Sequence, residues 1–182
     1  MKTINLAVIL IGVFISSLAT AQVQASYDYD KEADFSAVKT YKISEDALNY
    51  QMNELNRDRI INAIKAQLNA KGLSESDNPD VLINFHIKLG EEQRATENTT
   101  YYGAGGRYGY RWGGGFSTST IDVDTYTVGT VFVDMIDAGK NELIWQGRGS
   151  GTYQENISPE KRDKRITKGM AKIFKKYPPK AK

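Results

Sequence analysis

Apolar and polar residues alternate most regularly between residues 81 and 89. The apolar positions are Val81, Ile83, Phe85, Ile87 and Leu89. The polar positions between them are Asn84, His86 and Lys88. Successive side chains of a β-strand point to opposite faces of its sheet. The pattern therefore predicts a strand with one face in the core and the other at least partly in water.

Three further segments have strand patterns, and a turn joins two of them. The longer one extends from Thr120 to Ile136. Residues 137–141 predict a turn, after which the chain returns over Leu143 to Gly149 as the hairpin partner. A weaker pattern between Tyr27 and Ile43 completes the predicted sheet. Because the clearest neighbours form a hairpin, we expect mainly antiparallel pairing.

A helical period replaces the alternation between residues 56 and 71. The apolar stripe consists of Ile60, Ile61, Ile64 and Leu68. Asn53 and Asn56 are equally suitable as the residue that caps the start of this helix. Gly72 is suited to a left-handed cap at its end.

A second helix is predicted over residues 159–176. Ser158 is suited to the N-cap position and Pro159 to the first helical position. The apolar face carries Ile166, Met170, Ile173, Phe174 and Tyr177. The opposite face carries Lys161, Lys164, Arg165, Lys168, Lys172, Lys175 and Lys176. Together, the elements predict an α+β fold: a single domain over residues 22–182, with a mainly antiparallel sheet and two long helices packed on one face.

The first residues predict a secretory signal peptide over residues 1–21. Lys2 provides the positive start, and residues 4–18 are almost entirely apolar. Ala19 and Ala21 are the small residues that a signal peptidase accommodates. The apolar run is shorter than the roughly 20 residues that a spanning helix needs. We therefore expect cleavage after about Ala21 and export to the periplasm or the cell envelope.

The chain contains no cysteine. Disulfides, thiolate nucleophiles and thiolate zinc sites are therefore excluded. No thiol is present near Ala21 for lipid attachment either, so we expect the exported domain to be unanchored.

Positive charge is concentrated at the end of the chain. Residues 160–182 contain ten Lys and Arg against two acidic residues, whereas the formal net charge of the whole chain is only +2. The first interpretation of this segment is a helix that packs on the core and keeps its lysine face in solvent. Adhesion to anionic lipid or polysaccharide is the second interpretation.

Candidate catalytic residues are few. His86 is the one histidine, and no serine or cysteine nucleophile motif accompanies it. The glycine clusters at residues 103–109 and 147–151 lack the spacing of a dinucleotide fingerprint. We therefore predict no catalytic residues, no metal site and no cofactor, and export argues against a nucleic-acid partner.

Residues 101–116, YYGAGGRYGYRWGGGF, form an unusual segment rich in glycine and aromatic residues. The residues that offer flat rings or cations for binding are Tyr101, Tyr102, Arg107, Tyr108, Tyr110, Arg111, Trp112 and Phe116. Such a loop is suited to sugar rings, other aromatic chains or an envelope surface. A flexible connection between two strands that has no ligand of its own is the favoured interpretation, because biased composition establishes flexibility and not binding.

Several segments together resemble one protein family. They are YDYDKEADFSAVKTYK, NELNRDRIINAIKAQLNAKGL followed by PDVLINFHI, GTVFVDMIDAGKNELIWQGRG and ITKGMAKIFKKYPP. In order and spacing they are similar to domain-of-unknown-function family 4136 (DUF4136), bacterial envelope proteins of which many are described as lipoproteins. The resemblance implies an α+β domain with an antiparallel sheet and packed helices, and no known activity. This chain lacks the cysteine of the lipoprotein members.

These observations lead to an expected function. We expect an uncharacterised exported envelope protein that serves as a non-enzymatic binding or structural module. Its expected partners are an envelope glycan, a lipid surface or another envelope protein. The alternatives are an enzyme that acts on an envelope polymer and a carrier of a small ligand.

Overall fold

The computed structural model describes residues 24–101 and 117–179. The predicted signal peptide, residues 1–21, lies outside these ranges. So does the part of the glycine and aromatic segment from residue 102 to residue 116.

Six strands form one sheet in the order β1-β6-β5-β4-β2-β3. Their bounds are β1 Gln24–Tyr29, β2 Thr40–Ile43, β3 Ser74–Glu75, β4 Val81–Tyr101, β5 Ser117–Asp137 and β6 Glu142–Thr152. The predicted hairpin is confirmed, since β5 and β6 pair antiparallel. The prediction of a mainly antiparallel sheet is wrong, because β2 pairs parallel with both β3 and β4 and the sheet is mixed.

The parallel pairing follows from the connection between β2 and β4. Parallel neighbours need a crossover that returns the chain to the same end of the sheet, usually through a helix. Here the crossover contains a short helix, α1 (Glu45–Leu48), and a long one, α2 (Glu54–Ala70). Four residues are too few to give a periodic pattern, so the sequence did not predict α1.

The two predicted helices exist, but only α2 is long. The Asn53 side chain caps it by accepting the Asn56 N–H, and Gly72 has the expected left-handed backbone, with φ of 86°. The second helix, α3 (Pro159–Ile173), begins after its predicted cap, Ser158. It gives way at Phe174 to a tighter 3-10 turn, so the predicted helix to residue 176 is too long. None of the helices within residues 24–101 and 117–179 has the length and apolar character to cross a membrane.

The core lies between one sheet face and helices α2 and α3. The largest fully buried side chains are Trp145, Tyr41, Phe85, Phe174, Ile64, Leu68, Ile83, Met135, Val81 and Val133. Val81, Ile83 and Phe85 of β4 are buried in this core and Ile87 packs against it, as the alternation predicts, whereas Leu89 is 61% exposed. The other face of the sheet carries Asn84, His86 and Lys88.

Asp80 joins the beginnings of β2 and β4. Its Oδ2 accepts hydrogen bonds from the Lys39 and Thr40 backbone N–H groups, at 2.9 and 2.8 Å, and from the Thr40 hydroxyl at 2.8 Å. These bonds favour the ionised carboxylate, the Lys39 bond most strongly. They lower the pKa of Asp80 below its ordinary value of 3.8.

Asp80→Asn should therefore lower the melting temperature at neutral pH. A carboxyl group whose pKa is depressed by folding stabilises the fold above its unfolded pKa, and this stabilisation is lost as the pH falls through the folded pKa. The difference from wild type should thus shrink in strong acid, which thermal melts across a pH series will measure. Asp77→Asn is the control, because the Asp77 side chain is fully exposed. A difference of the same size at every pH would contradict this role.

Candidate functional site

The residues predicted to bind lie in or next to the glycine and aromatic segment. Tyr101 is the last residue of β4, where its backbone pairs with Ser117 at the start of β5. The others lie outside the described residues: Tyr102, Arg107, Tyr108, Tyr110, Arg111, Trp112 and Phe116. Their role in binding stays a prediction.

His86 lies in the middle of β4 on the sheet face opposite the helices, as predicted. Its Nδ1 is 3.4 Å from Asp134 Oδ2, and the Asp134 side chain is only 13% exposed. The other oxygen of this carboxylate accepts a 2.7 Å hydrogen bond from the Gln146 amide. The imidazole also stacks on Phe132, with 4.5 Å between ring centroids and 5° between planes. A carboxylate and an aromatic ring together therefore fix the orientation of His86.

Cationic side chains surround the same aromatic ring. Phe132 is the register partner of His86 on β4 and of Arg148 on β6. The Lys88 ammonium lies 5.5 Å from the Phe132 centroid, a distance typical of cation–π contacts. The Arg148 guanidinium donates to the Ser26 hydroxyl of β1. This part of the sheet face is a flat polar surface, and no serine or threonine hydroxyl within the described residues is hydrogen-bonded to His86.

A groove lies on the other side of the sheet, between the edge strand β1 and the end of α3. Its volume is about 420 Å³. The residues that line it are Ala25, Ser26, Tyr27, Lys172, Ile173, Lys175 and Lys176. We call this the β1–α3 groove. It combines an aromatic floor with a wall of lysines.

The aromatic floor of the groove is ordered by its own contacts. Tyr27 stacks on Tyr29, with 6.0 Å between centroids and 14° between planes. Lys176 Nζ lies 5.6 Å from the Tyr27 centroid. The Tyr27 side chain is still 37% exposed, so part of it can contact a bound molecule. Stacked tyrosines beside ammonium groups are chemically suited to a ligand with flat apolar rings and negative charge.

Glycine in β6 lets α3 approach the sheet closely. Gly147 is the register partner of Tyr27 and faces the helix. A side chain at residue 147 would overlap the Trp145 ring and the Cγ2 atom of Ile173. This packing requirement explains why residue 147 is glycine. The glycine cluster to which it belongs, residues 147–151, lacks the spacing of a dinucleotide fingerprint.

Burial at the end of α3 holds the lysine wall in place. Phe174 stacks on Trp145 and Tyr177 meets it edge to face, with centroid distances of 5.2 and 5.4 Å. Burial raises the pKa of Tyr177 to about 12, because it disfavours the charged phenolate. The neighbouring Lys175 and Lys176 are exposed. The apolar anchors therefore fix the helix and leave these two lysines at the surface.

Sequence reasoning identified the parts of this groove but not the groove itself. The Tyr27 and Tyr29 pattern and the lysine face of α3 were both recognised. Their proximity depends on β1 pairing with β6 under α3, which no local pattern encodes. The pairing of His86 with Asp134 was missed for the same reason, since it depends on the register of β4 against β5.

Comparisons with known proteins identify a family and a fold. The profile of the family described as "Domain of unknown function (DUF4136)" matches residues 25–179. No protein of curated function matches the chain. A crystal structure of a PDZ domain protein from Parabacteroides distasonis is similar in fold, with a TM-score of 0.53 and 16% identity. That similarity covers 90% of this chain but only 38% of the other.

A second solved structure is less similar. It is the PelC dodecamer from Paraburkholderia phytofirmans, with a TM-score of 0.48 and 14% identity over 84% of this chain and 96% of that one. Similarity at this level does not indicate a function for this chain.

Proposed function

This chain belongs to the DUF4136 family of domains of unknown function, and on that premise we propose that it is an exported, non-enzymatic module that binds an anionic polymer of the cell envelope. The export part of the proposal is supported by the leader at residues 1–21, with its positive start, apolar run and small residues before the cleavage site.

The observation that carries the binding part is the β1–α3 groove. A polymer of sugar rings that bear carboxylate or phosphate groups presents both features that the groove is suited to contact. Its rings can lie against Tyr27, and its charges can pair with Lys175 and Lys176. An anionic lipid surface would supply the same charges without the rings. The two sources are therefore distinguishable by experiment.

The groove also lies next to an open strand edge. Since β1 is the first strand in the order of the sheet, only one of its backbone edges pairs with β6. An unpaired edge offers N–H and C=O groups to a ligand. Hydroxyl groups of a sugar polymer can use these groups, so the edge would favour a polymer over a simple inorganic anion.

The experiment compares two double variants of the exported protein. The full chain is produced in a bacterium. The intact mass of the protein recovered from the exported fraction should equal that of a chain whose first residue is Gln22. In Lys175→Glu/Lys176→Glu, affinity for polygalacturonate should fall by about tenfold or more, equivalent to at least about 1.4 kcal/mol. In Lys71→Glu/Lys140→Glu, which changes charge equally outside the groove, affinity should change by less than about twofold, because distant exposed charges are screened.

The choice of probes separates the possible outcomes. Neutral dextran tests for ring contacts without charge, and phosphatidylglycerol vesicles test for charge without rings. Equal losses in the two double variants would contradict a specific groove, and a preference for the vesicles would point to a lipid surface.

The His86–Asp134 pair favours one alternative, an enzyme that acts on the polymer. A carboxylate that orients a histidine is a common part of acid–base sites. The same samples can therefore be assayed for shortening of the polymer. Cleavage that disappears in His86→Gln but persists in the Lys175→Glu/Lys176→Glu variant would replace the binding proposal with this alternative.

A further inference from the structure

Strands β4 and β5 extend well beyond the rest of the sheet. The last residue of β5 that pairs with β6 on this side is Val128, opposite Thr152. From there, residues 91–101 and 117–127 pair only with each other. We call this two-stranded ribbon the arm. At about 3.4 Å per residue, the arm is roughly 35 Å long.

The arm has an apolar face that no part of the described chain covers. Ile121 is 65% exposed and Val123 is 55% exposed. Val123 is the register partner of Ala95, which is also exposed. By alternation, this face continues the sheet face that carries the core. A two-stranded ribbon is only marginally stable in water unless a third strand or a helix packs on it, so this face is suited to a partner surface.

The charge of the arm indicates which surface this is. The arm contains five acidic residues and one arginine. Two arms would repel each other, which argues against pairing between them. Helix α3 has the opposite charge, and its Lys161, Lys164 and Lys168 are all exposed.

The surface beside the first turns of α3 also offers an apolar contact. Arg59 of α2 is bound to Asp163 of α3, with 2.6 Å between Nε and Oδ1. Leu55 lies one helical turn before Arg59 on the same side of α2, and its side chain is 63% exposed. Leu55 therefore offers an apolar contact near the start of α3, and Glu91 lies on the same face of the arm as Ile121 and Val123.

We infer that the arm of one copy binds the α3 surface of a second copy. The two contacting surfaces are different, so the contact is head to tail. Such contacts build closed rings or filaments, because each copy keeps one free arm and one free helix surface until the ring closes. This inference does not rest on the proposed polymer binding, which uses Lys175 and Lys176 at the other end of α3.

Charge swaps test the contact. Glu91→Lys/Gln93→Lys (the arm variant), which changes two exposed residues on the Ile121 and Val123 face, and Lys161→Glu/Lys164→Glu (the helix variant) should each be monomeric by sedimentation under conditions in which the wild-type protein assembles. Their mixture should assemble again, since the native arm of the helix variant fits the native α3 surface of the arm variant and the two reversed surfaces also fit each other. A chain with all four substitutions should assemble again, because both charges are reversed. The arm variant should bind polygalacturonate with the affinity of a single groove. A failure of the assembly proposal can therefore be distinguished from a failure of the binding proposal.

Two controls keep the outcome interpretable. Urea denaturation shows whether each variant is folded, and salt should dissociate the wild-type assembly without any substitution, since salt screens exposed charge pairs. A wild-type protein that stays monomeric at every concentration would overturn the inference. So would a helix variant that assembles normally while the arm variant does not, because the arms would then bind each other.

Discussion

Gly147→Ala should destabilise the fold by about 1–3 kcal/mol, the usual cost of inserting a methyl group into a packed core. Gly147 lies in β6 on the face that α3 covers, and it is buried. A Cβ atom there would lie 2.5 Å from Ile173 Cγ2 and would also overlap the Trp145 ring. Ile173 and Trp145 are 3% and 0% exposed, so neither side chain can turn away into solvent. Relief therefore requires α3 to move from the sheet.

A second glycine provides the matched control. Gly169 lies within α3, and a Cβ atom there would meet no heavy atom within 4 Å. Gly169→Ala should raise the free energy of unfolding by about 0.5–1 kcal/mol, because alanine loses less backbone entropy in a helix. Urea denaturation of the two variants measures both effects. An unchanged stability for Gly147→Ala would mean that α3 is packed less tightly than the structure indicates.

Local patterns predicted the elements that bury one face and failed beyond them. The alternation from Val81 to Leu89 predicted the first part of β4, because its odd-numbered residues as far as Ile87 contact the core. The strand continues to Tyr101, but residues 90–101 are mostly polar. Their strand structure comes from pairing with β5, so the sequence signal ends where the core ends. The β4 half of the arm was therefore not predicted, whereas the strand predicted from Thr120 already included most of the β5 half.

Pairing between distant segments was the other limit. The local pattern at Thr40–Ile43 suggested a strand, but nothing in four residues shows that it pairs parallel with β4. The candidate site has the same character. Its tyrosines and lysines were recognised in separate segments, and the sheet order brings them together. Prediction from one sequence is strong where periodicity reports burial and weak where function depends on which segments become neighbours.

Trp145→Ala should have the largest effect on stability of any substitution considered, about 3–5 kcal/mol. Trp145 is fully buried and packs against both Phe174 and Tyr177, so its loss removes the contact that anchors the end of α3. Trp145→Phe should cost less. It keeps an aromatic ring, and it removes the indole Nε1–H, which is buried without a hydrogen-bond partner among the described residues. A phenylalanine variant as unstable as the alanine variant would contradict this account.

A double-mutant cycle connects the two substitutions. In the Trp145→Ala background, the space left by the indole ring can accept the new methyl group, so Gly147→Ala should cost less than it does in wild type. Coupling between residues in contact is typically about 0.5–3 kcal/mol. Additive losses in urea denaturation would show that Ile173 alone resists the methyl group, and that α3 rather than the indole ring determines why residue 147 is glycine. If the double variant loses less stability than the sum of the two single variants, the constraint at residue 147 comes from the tryptophan. The same ring would then also determine where α3 and its lysines lie.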